Sequence, residues 1–214
     1  MLASNPLLGK AFATQSVDYN CARCRRKLEV DDTRFECLLK SRRVAVVHFS
    51  CYGVMGHRVT FPDDLVHALS TIKQETRSCC ALYPGHEMDL PGSVGVILSP
   101  KYSHVLSVCS ADSGSSVYGG EEGSMGSTPE ENAILESLRV PSGMYNEWRI
   151  LGANPVGIFV SNPQCILVKQ ESTITVGRER LTEIGCAQIS LQAVKKAFPT
   201  LPVYTMRADG LEQL

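Results

Sequence analysis

Four residues with metal-binding side chains occur in two closely spaced pairs. Two residues separate Cys21 from Cys24, and two residues separate His48 from Cys51. Thiolate and imidazole bind zinc tetrahedrally, and two short pairs supply all four ligands once the chain brings them together. A site filled by four protein ligands is typical of structural zinc, because catalytic zinc keeps one position open. The spacing therefore predicts one structural Zn²⁺ site; four ordinary buried side chains are the alternative.

Basic residues surround this predicted zinc site. From Cys21 to Arg58 the sequence has nine Lys or Arg and four Asp or Glu, an excess of five positive charges, although the whole chain carries a formal charge of −1. Such a patch attracts phosphates, so we predict contact with DNA or RNA; a solvated charged face is the alternative. The predicted nucleic-acid-binding residues are Arg23, Arg25, Arg26, Lys27, Arg42, Arg43 and Arg58.

The segment between the two ligand pairs has the pattern of a β-hairpin. Phe35, Cys37 and Leu39 alternate with polar neighbours, which is the period of a half-buried strand. The apolar run RVAVVHF predicts a second strand, with Arg42 and Arg43 at the tip between the two. Zinc would thus stabilise a hairpin whose exposed tip carries two adjacent arginines.

The CARC motif at 21–24, the basic hairpin and the run HFSCYGVMGH at 48–57 resemble the zinc fingers of poly(ADP-ribose) polymerases and of some DNA ligases. The resemblance covers residues 21–58. It implies one zinc bound by the four residues of the two pairs, and a finger that recognises breaks in DNA. The gap between Cys24 and His48 is shorter than is usual in that family. It also fits the first half of a LIM domain, whose members mostly bind proteins, but the second zinc pair of a LIM domain is missing.

The rest of the sequence predicts an α+β fold: a small zinc-bound hairpin module followed by an α+β sandwich with a mixed or antiparallel sheet. Periodicity and capping signals predict three helices, and β-branched runs predict five strands. The helices are expected at 60–76, from Thr128 onward and at 178–198, with two strands between 92 and 112 and three between 145 and 174. This order is similar to that of roadblock and profilin-like modules, which implies a surface for dimerisation or scaffolding.

We predict three segments along the chain. Residues 1–20 form an extended lead-in, 21–59 the zinc-finger module, and 60–214 the α+β domain, with a flexible Gly/Ser-rich loop at 112–128. A chain of 214 residues with 43% hydrophobic residues is long enough to bury a core in this arrangement.

Other cysteines and histidines could also carry chemistry. Four further residues are candidate ligands for a second metal ion, and the sequence leaves this site open: Cys37, Cys79, Cys80 and His86. Adjacent cysteines do not easily direct both sulfurs to one ion, so small buried side chains are the preferred interpretation. The remaining cysteines would need a neighbouring base to act as nucleophiles, and the sequence has no GxSxG or HExxH motif. We therefore favour a protein without enzymatic activity; an enzyme is the alternative, which a pocket with His86 or His104 beside a cysteine would indicate.

Composition predicts an intracellular protein. Nine cysteines would suggest disulfides in a secreted chain, but the N-terminus has no charged region followed by an apolar run. No stretch approaches the roughly 18 consecutive apolar residues of a transmembrane helix, so we expect no membrane partner. The nucleus or the cytoplasm is the predicted location, and the acid-poor opening segment leaves a mitochondrial location open.

Together these features predict a non-enzymatic zinc-finger protein that binds nucleic acid through a basic, zinc-stabilised hairpin. Its α+β domain would bind a protein partner or a second copy, since the strands between 150 and 170 are apolar and carry few charges. The alternative is a structural or adaptor subunit of a larger complex, in which the zinc is purely structural and no nucleic acid is bound.

Overall fold

Four α-helices and ten β-strands occur in the part of the chain that the computed structural model describes. That part comprises residues 31–50, 60–86, 93–109, 129–139, 146–176 and 179–214. The helices are α1 (Asp32–Arg42), α2 (Asp63–Thr71), α3 (Glu131–Ser137) and α4 (Leu191–Ala197), and a short 3₁₀ helix covers Tyr102–His104. The strands are β1 (Ala45–Phe49), β2 (Arg77–Leu82), β3 (Val94–Ser99), β4 (Val105–Cys109), β5 (Glu147–Ile150), β6 (Asn154–Val160), β7 (Ile166–Val176), β8 (Glu179–Ile189), β9 (Val203–Arg207) and β10 (Gly210–Gln213).

Eight of these strands form one mixed sheet in the order β10-β9-β6-β3-β1-β2-β5-β4. Neighbouring strands are antiparallel except β6 and β9, which are parallel. The predicted α+β fold with a mixed sheet is therefore confirmed. Strands β7 and β8 form a separate two-stranded sheet.

The large sheet buries apolar side chains on both faces, because successive residues of a strand point to opposite sides. Val46 of β1 belongs to the cluster that all four helices cover, which we call the helix-side core; Phe35 of α1 and Leu65 of α2 pack there. Val47 belongs to a second cluster on the other face, together with Phe49. Strand β1 belongs to the predicted module at 21–59, yet it pairs with β2 and β3 and lies within the large sheet.

The predicted hairpin around Arg42 and Arg43 is wrong, because its first half is helix α1. Asp31 caps this helix by accepting a hydrogen bond from the amide of Arg34 at 2.8 Å. The helix ends at Arg42, and the following C-cap residue Arg43 has a left-handed φ of 53°. Its buried residues are Phe35, Leu38 and Leu39. Their spacing of three and four is the helical period, whereas the alternation that suggested a strand places half-buried Cys37 among them.

The predicted helix at 178–198 is wrong over most of its length. Strand β8 occupies Glu179–Ile189, and the helix begins only after Ser190, whose hydroxyl accepts from the amide of Ala193 at 3.2 Å. The apolar residues Val194 and Phe198 are buried. The chain then continues into β9 and β10, an antiparallel pair that the sequence pattern did not predict.

The remaining predicted elements agree with the structure. Helix α2 lies within the predicted range 60–76; it has Asp63 and Asp64 in its first turn, and its Val66 is 47% exposed. Helix α3 and strands β3 to β7 lie where the patterns place them, whereas β2 was not predicted. The predicted cap Thr128, the lead-in at 1–20 and the loop at 112–128 lie outside the described residues.

Strands β7 and β8 form a long hairpin that is anchored at its base. Each strand has eleven residues, about 37 Å of extended chain, whereas five or six residues are usual. Ile166 and Val168 of β7 are 1% and 2% exposed and belong to the helix-side core. Farther along β8, Thr182, Gly185 and Cys186 are exposed. The hairpin therefore has a buried base and solvent-exposed residues farther out.

Candidate functional site

His48 is the one predicted zinc ligand among the described residues, and a backbone carbonyl orients its imidazole. Nδ1 lies 2.8 Å from the carbonyl oxygen of Ser78 on β2. A carbonyl oxygen only accepts, so Nδ1 must carry the proton and donate it. Nε2 then presents a lone pair, and no described residue hydrogen bonds to it. Zinc-binding histidines commonly hold their second ring nitrogen in this way.

The surroundings of His48 favour the neutral ring. Burial lowers the pKa of His48, and the charge of Arg77 lowers it further; the hydrogen bond to Ser78 and the carboxylate of Asp64 oppose this shift. Asp64 itself accepts a hydrogen bond from the hydroxyl of Ser50. Neutral imidazole is the form that binds a metal ion, so the environment of this ring fits a zinc ligand.

The other three predicted ligands, Cys21, Cys24 and Cys51, lie outside the described residues. Cys51 follows the last residue of β1 by two positions, and Cys24 precedes the first residue of α1 by eight. Within the described ranges, no three His, Cys, Asp or Glu side chains form a metal-binding group. The zinc site therefore stays a prediction.

Arg42 and Arg43 do not lie beside His48. Arg42 is the last residue of α1 and Arg43 is its C-cap. His48 follows Arg43 by five residues of mostly extended chain, so the Cα atoms of Arg43 and His48 are about 17 Å apart. The guanidinium of Arg43 donates to the carbonyl of Asp209, in the turn between β9 and β10. The other predicted nucleic-acid-binding residues lie outside the described part: Arg23, Arg25, Arg26, Lys27 and Arg58. The structure thus places the two arginines at the carboxyl end of helix α1 and not at the tip of a hairpin.

Cys79 and Cys80 cannot both bind one ion, since they point to opposite faces of β2. Cys79 belongs to the helix-side core and Cys80 to the cluster on the other face. Burial raises the pKa of both thiols, which disfavours the thiolate that a metal requires. His86 stacks on Tyr83 with ring centroids 4.5 Å apart. These contacts fit the interpretation of small buried side chains and a structural histidine.

An open cleft of about 280 Å³ lies beside the first turns of α1. Asp32, Lys101 and Asn154 are among the polar residues that line it. Asp32 accepts from the amide of Tyr102 at 2.9 Å, and Asn154 accepts from the ammonium group of Lys73 at 2.6 Å. No cysteine or histidine is among the described residues that line this cleft, so they include no thiol and no imidazole base.

Within the described residues, no strand pairs with the outer edge of β8 in the hairpin of β7 and β8. Phe61 donates its backbone amide to the carbonyl of Lys169 at 2.9 Å, so Lys169 and every second residue of β7 direct their backbone groups away from β8. The residues opposite them on β8 face outward as well. These residues are Arg180, Thr182, Ile184, Cys186 and Gln188, the outer edge of β8. No described residue pairs with this edge.

The outer edge of β8 was missed because the segment was assigned to a helix. The available signal was Gly177 between two stretches of similar length, the first of which alternates in a strand pattern. Helical spacing of Leu181, Ile184 and Leu191 competed with it and favoured the wrong element.

Comparisons of this chain with family models, with curated proteins and with solved structures gave no match. The resemblances to the polymerase and ligase zinc finger and to roadblock and profilin-like modules therefore stay expectations. Among the described helices, none combines the length and apolar character needed to cross a membrane.

Proposed function

We propose that the protein is a non-enzymatic structural or adaptor subunit that binds a protein partner along the outer edge of β8. The observation that carries this proposal is an eleven-residue strand with the backbone groups of five residues directed outward and unpaired within the described part. Such an edge readily pairs with a further strand, and main-chain hydrogen bonds then supply affinity. A two-stranded ribbon is only marginally stable in water, so a third strand would also stabilise the outer half of the hairpin.

The anchored base supports a binding role for the hairpin. Ile166 and Val168 are held in the helix-side core, and Ile189 at the end of β8 packs against the same core. Fixing both strands at their base lowers the conformational entropy that binding would cost. The hairpin therefore presents a partly ordered edge to a partner.

We propose in addition one structural Zn²⁺ bound by Cys21, Cys24, His48 and Cys51. The Nδ1 contact of His48 supports this, because it leaves Nε2 in the form that coordinates zinc. Four protein ligands would leave no open position for catalysis. In zinc-finger peptides such a metal contributes an apparent binding free energy of about 10–16 kcal/mol to folding.

Nucleic-acid binding stays a prediction with a narrower basis. The segment predicted to form the basic hairpin begins with helix α1, and Arg42 and Arg43 at the end of that helix lie away from His48. It now depends on the basic cluster at 23–27 and on Arg58, whose structure is not described. Titration of the full chain with nicked DNA and with RNA at low salt tests it, since phosphate contacts make affinity fall steeply as salt is added.

Site-specific photo-crosslinking tests the partner proposal. A photoreactive residue replaces Thr182 on the outer edge of β8, in cells that express the full chain, and mass spectrometry identifies what is captured. The matched control carries the same residue at Gln192, an exposed position of α4. We expect a covalent adduct from position 182 only. No adduct there, or equal capture from both positions, would contradict the proposal.

Metal analysis of the purified full chain tests the zinc proposal. We expect one zinc per chain, lost in Cys24→Ser and retained in Cys186→Ser, a matched cysteine change at an exposed position of β8. Unaltered protein purified without stoichiometric zinc would show that the four residues are not a metal site.

A further inference from the structure

We propose that the partner of β8 is a second copy of this chain, bound as a two-fold symmetric dimer in which the two β8 strands pair antiparallel about Ile184. This inference rests on the proposed function, since it names the partner of the same edge. The result would be a four-stranded sheet with the order β7-β8-β8-β7. Four strands reach the size at which a small sheet is stable, which the two-stranded hairpin alone does not.

The backbone of β8 is suited to this pairing over its full length. Outward-facing residues must pair with outward-facing residues, and a two-fold axis centred on Ile184 sets them opposite one another. Thr182 then faces Cys186 of the second copy, and Arg180 faces Gln188. Because Ile184 is the midpoint of Glu179–Ile189, no residue of the strand is left without a counterpart. Ten outward backbone groups per copy, five amides and five carbonyls, would gain partners.

The residue types are self-complementary in this register. Glu179 lies opposite Ile189 of the second copy and Glu183 opposite Gly185, so no acidic residue meets another acidic residue. Arg180, the basic residue of this strand, meets Gln188. Pairing about Leu181 would instead set Glu179 against Glu183, and pairing about Glu183 would set that residue against itself. Like charges directly opposite each other destabilise a sheet, which disfavours the registers about Leu181 and Glu183 relative to the one about Ile184.

Antiparallel pairing also keeps the two folded bodies apart. The base of each hairpin, where Ile166 and Val168 are buried, would lie beside the tip of the other hairpin. The bodies then sit at opposite ends of a strand of eleven residues, about 37 Å apart. The pairing therefore needs no change in the large sheet or in the helix-side core.

Sedimentation equilibrium of the full chain tests the dimer. We expect a mass of twice 23.3 kDa that dissociates on dilution. Ile184→Pro removes an amide that faces away from β7, so the hairpin keeps its internal ladder while the central pair of the dimer is lost. We expect Ile184→Pro to weaken association at least about tenfold, since two symmetric hydrogen bonds disappear. Ile184→Ala keeps the amide and is the matched control, and the fluorescence of Trp148 shows that each variant is folded.

Disulfide trapping tests the register. Thr182→Cys places a thiol opposite Cys186 of the second copy, within the spacing that a disulfide can bridge. With oxidised glutathione as oxidant, we expect a covalent dimer that is abolished when Cys186→Ser is added. A monomer at every soluble concentration, or association that Ile184→Pro leaves unchanged, would overturn the inference. If position 182 then crosslinks to a different protein, the proposed adaptor function stands without the dimer; if it captures nothing, both fall.

Discussion

Replacing Asn146 by alanine should destabilise the protein by about 3–5 kcal/mol, because its side chain completes the hydrogen bonds of a buried strand. Asn146 is fully buried. Its Oδ1 accepts from the amide of Ala81 at 2.8 Å, and its Nδ2 donates to the carbonyl of Ala81 at 3.0 Å. The ladder between β2 and β5 ends with Cys79 opposite Trp148. The amide side chain thus takes the place of the next backbone partner.

The magnitude follows from the groups that the substitution leaves without partners. Nδ2 also donates to the carbonyl of Ser137 at 3.0 Å, so alanine strands three buried backbone groups: one amide and two carbonyls. Each costs about 1–3 kcal/mol when it is buried and unsatisfied. Three such groups cost about 3–9 kcal/mol together. A water molecule in the space left by the side chain would hydrogen bond to the carbonyl oxygens, which places the total in the lower half of that range.

Urea unfolding measures this effect directly, because Trp148 is the only tryptophan and is fully buried two residues away. A loss of 3–5 kcal/mol corresponds to a fall in Tm of roughly 6–20 °C for a chain of this size. Asn154→Ala is the control: Asn154 is exposed and contacts Lys73 at the surface, so we expect a change below about 1 kcal/mol. An Asn146→Ala variant as stable as this control would refute the reasoning.

Three further predictions concern single positions. Gly95→Ala should lower Tm by several degrees, since a Cβ would lie 2.6 Å from the Val47 side chain, whereas Gly185→Ala has no atom within 4 Å and should be nearly neutral. Burial raises the pKa of the Cys80 thiol above its ordinary value of 9.0, so as the pH rises this thiol ionises in the unfolded chain before it does so in the folded protein. The free energy of unfolding should therefore be constant below pH 9 and fall as the pH rises above 9. Urea midpoints measured against pH should fall less steeply for Cys80→Ala. In native protein an aromatic disulfide reagent should label exposed Cys186 rapidly and Cys80 only after unfolding, as peptide mapping would show.

Local sequence signals predicted the elements in which short-range pattern and long-range environment agree. The acidic first turn and apolar stripe of α2 identify a helix, and β-branched runs identify β3, β6 and β7. Strand β2 was not predicted because apolar and polar residues do not alternate in RSCCAL; its last four residues are buried, on both faces of the sheet. A fully buried segment of this length has no period to detect.

The two wrong elements show what local pattern cannot decide. Helix α1 has Phe35 and Leu39 at a spacing that fits one helical turn and, equally, one face of a strand. Strand β8 carries apolar residues at helical spacing, yet its eleven positions pair with β7. Pairing with a neighbouring strand outweighs weak intrinsic preferences, because it satisfies a backbone hydrogen-bonding group at each step.

The candidate sites likewise depend partly on the sequence alone and partly on the tertiary structure. The sequence by itself determined which residues could bind zinc, because ligand chemistry and spacing are properties of the chain alone. Only the tertiary structure decided that Nδ1 of His48 donates a hydrogen bond to the carbonyl of Ser78, and that Arg42 and Arg43 lie at the carboxyl end of helix α1. It also decided that, among the described strands, β8 pairs with β7 alone. Tautomers, distances and free edges depend on residues that are far apart in sequence and meet only after folding.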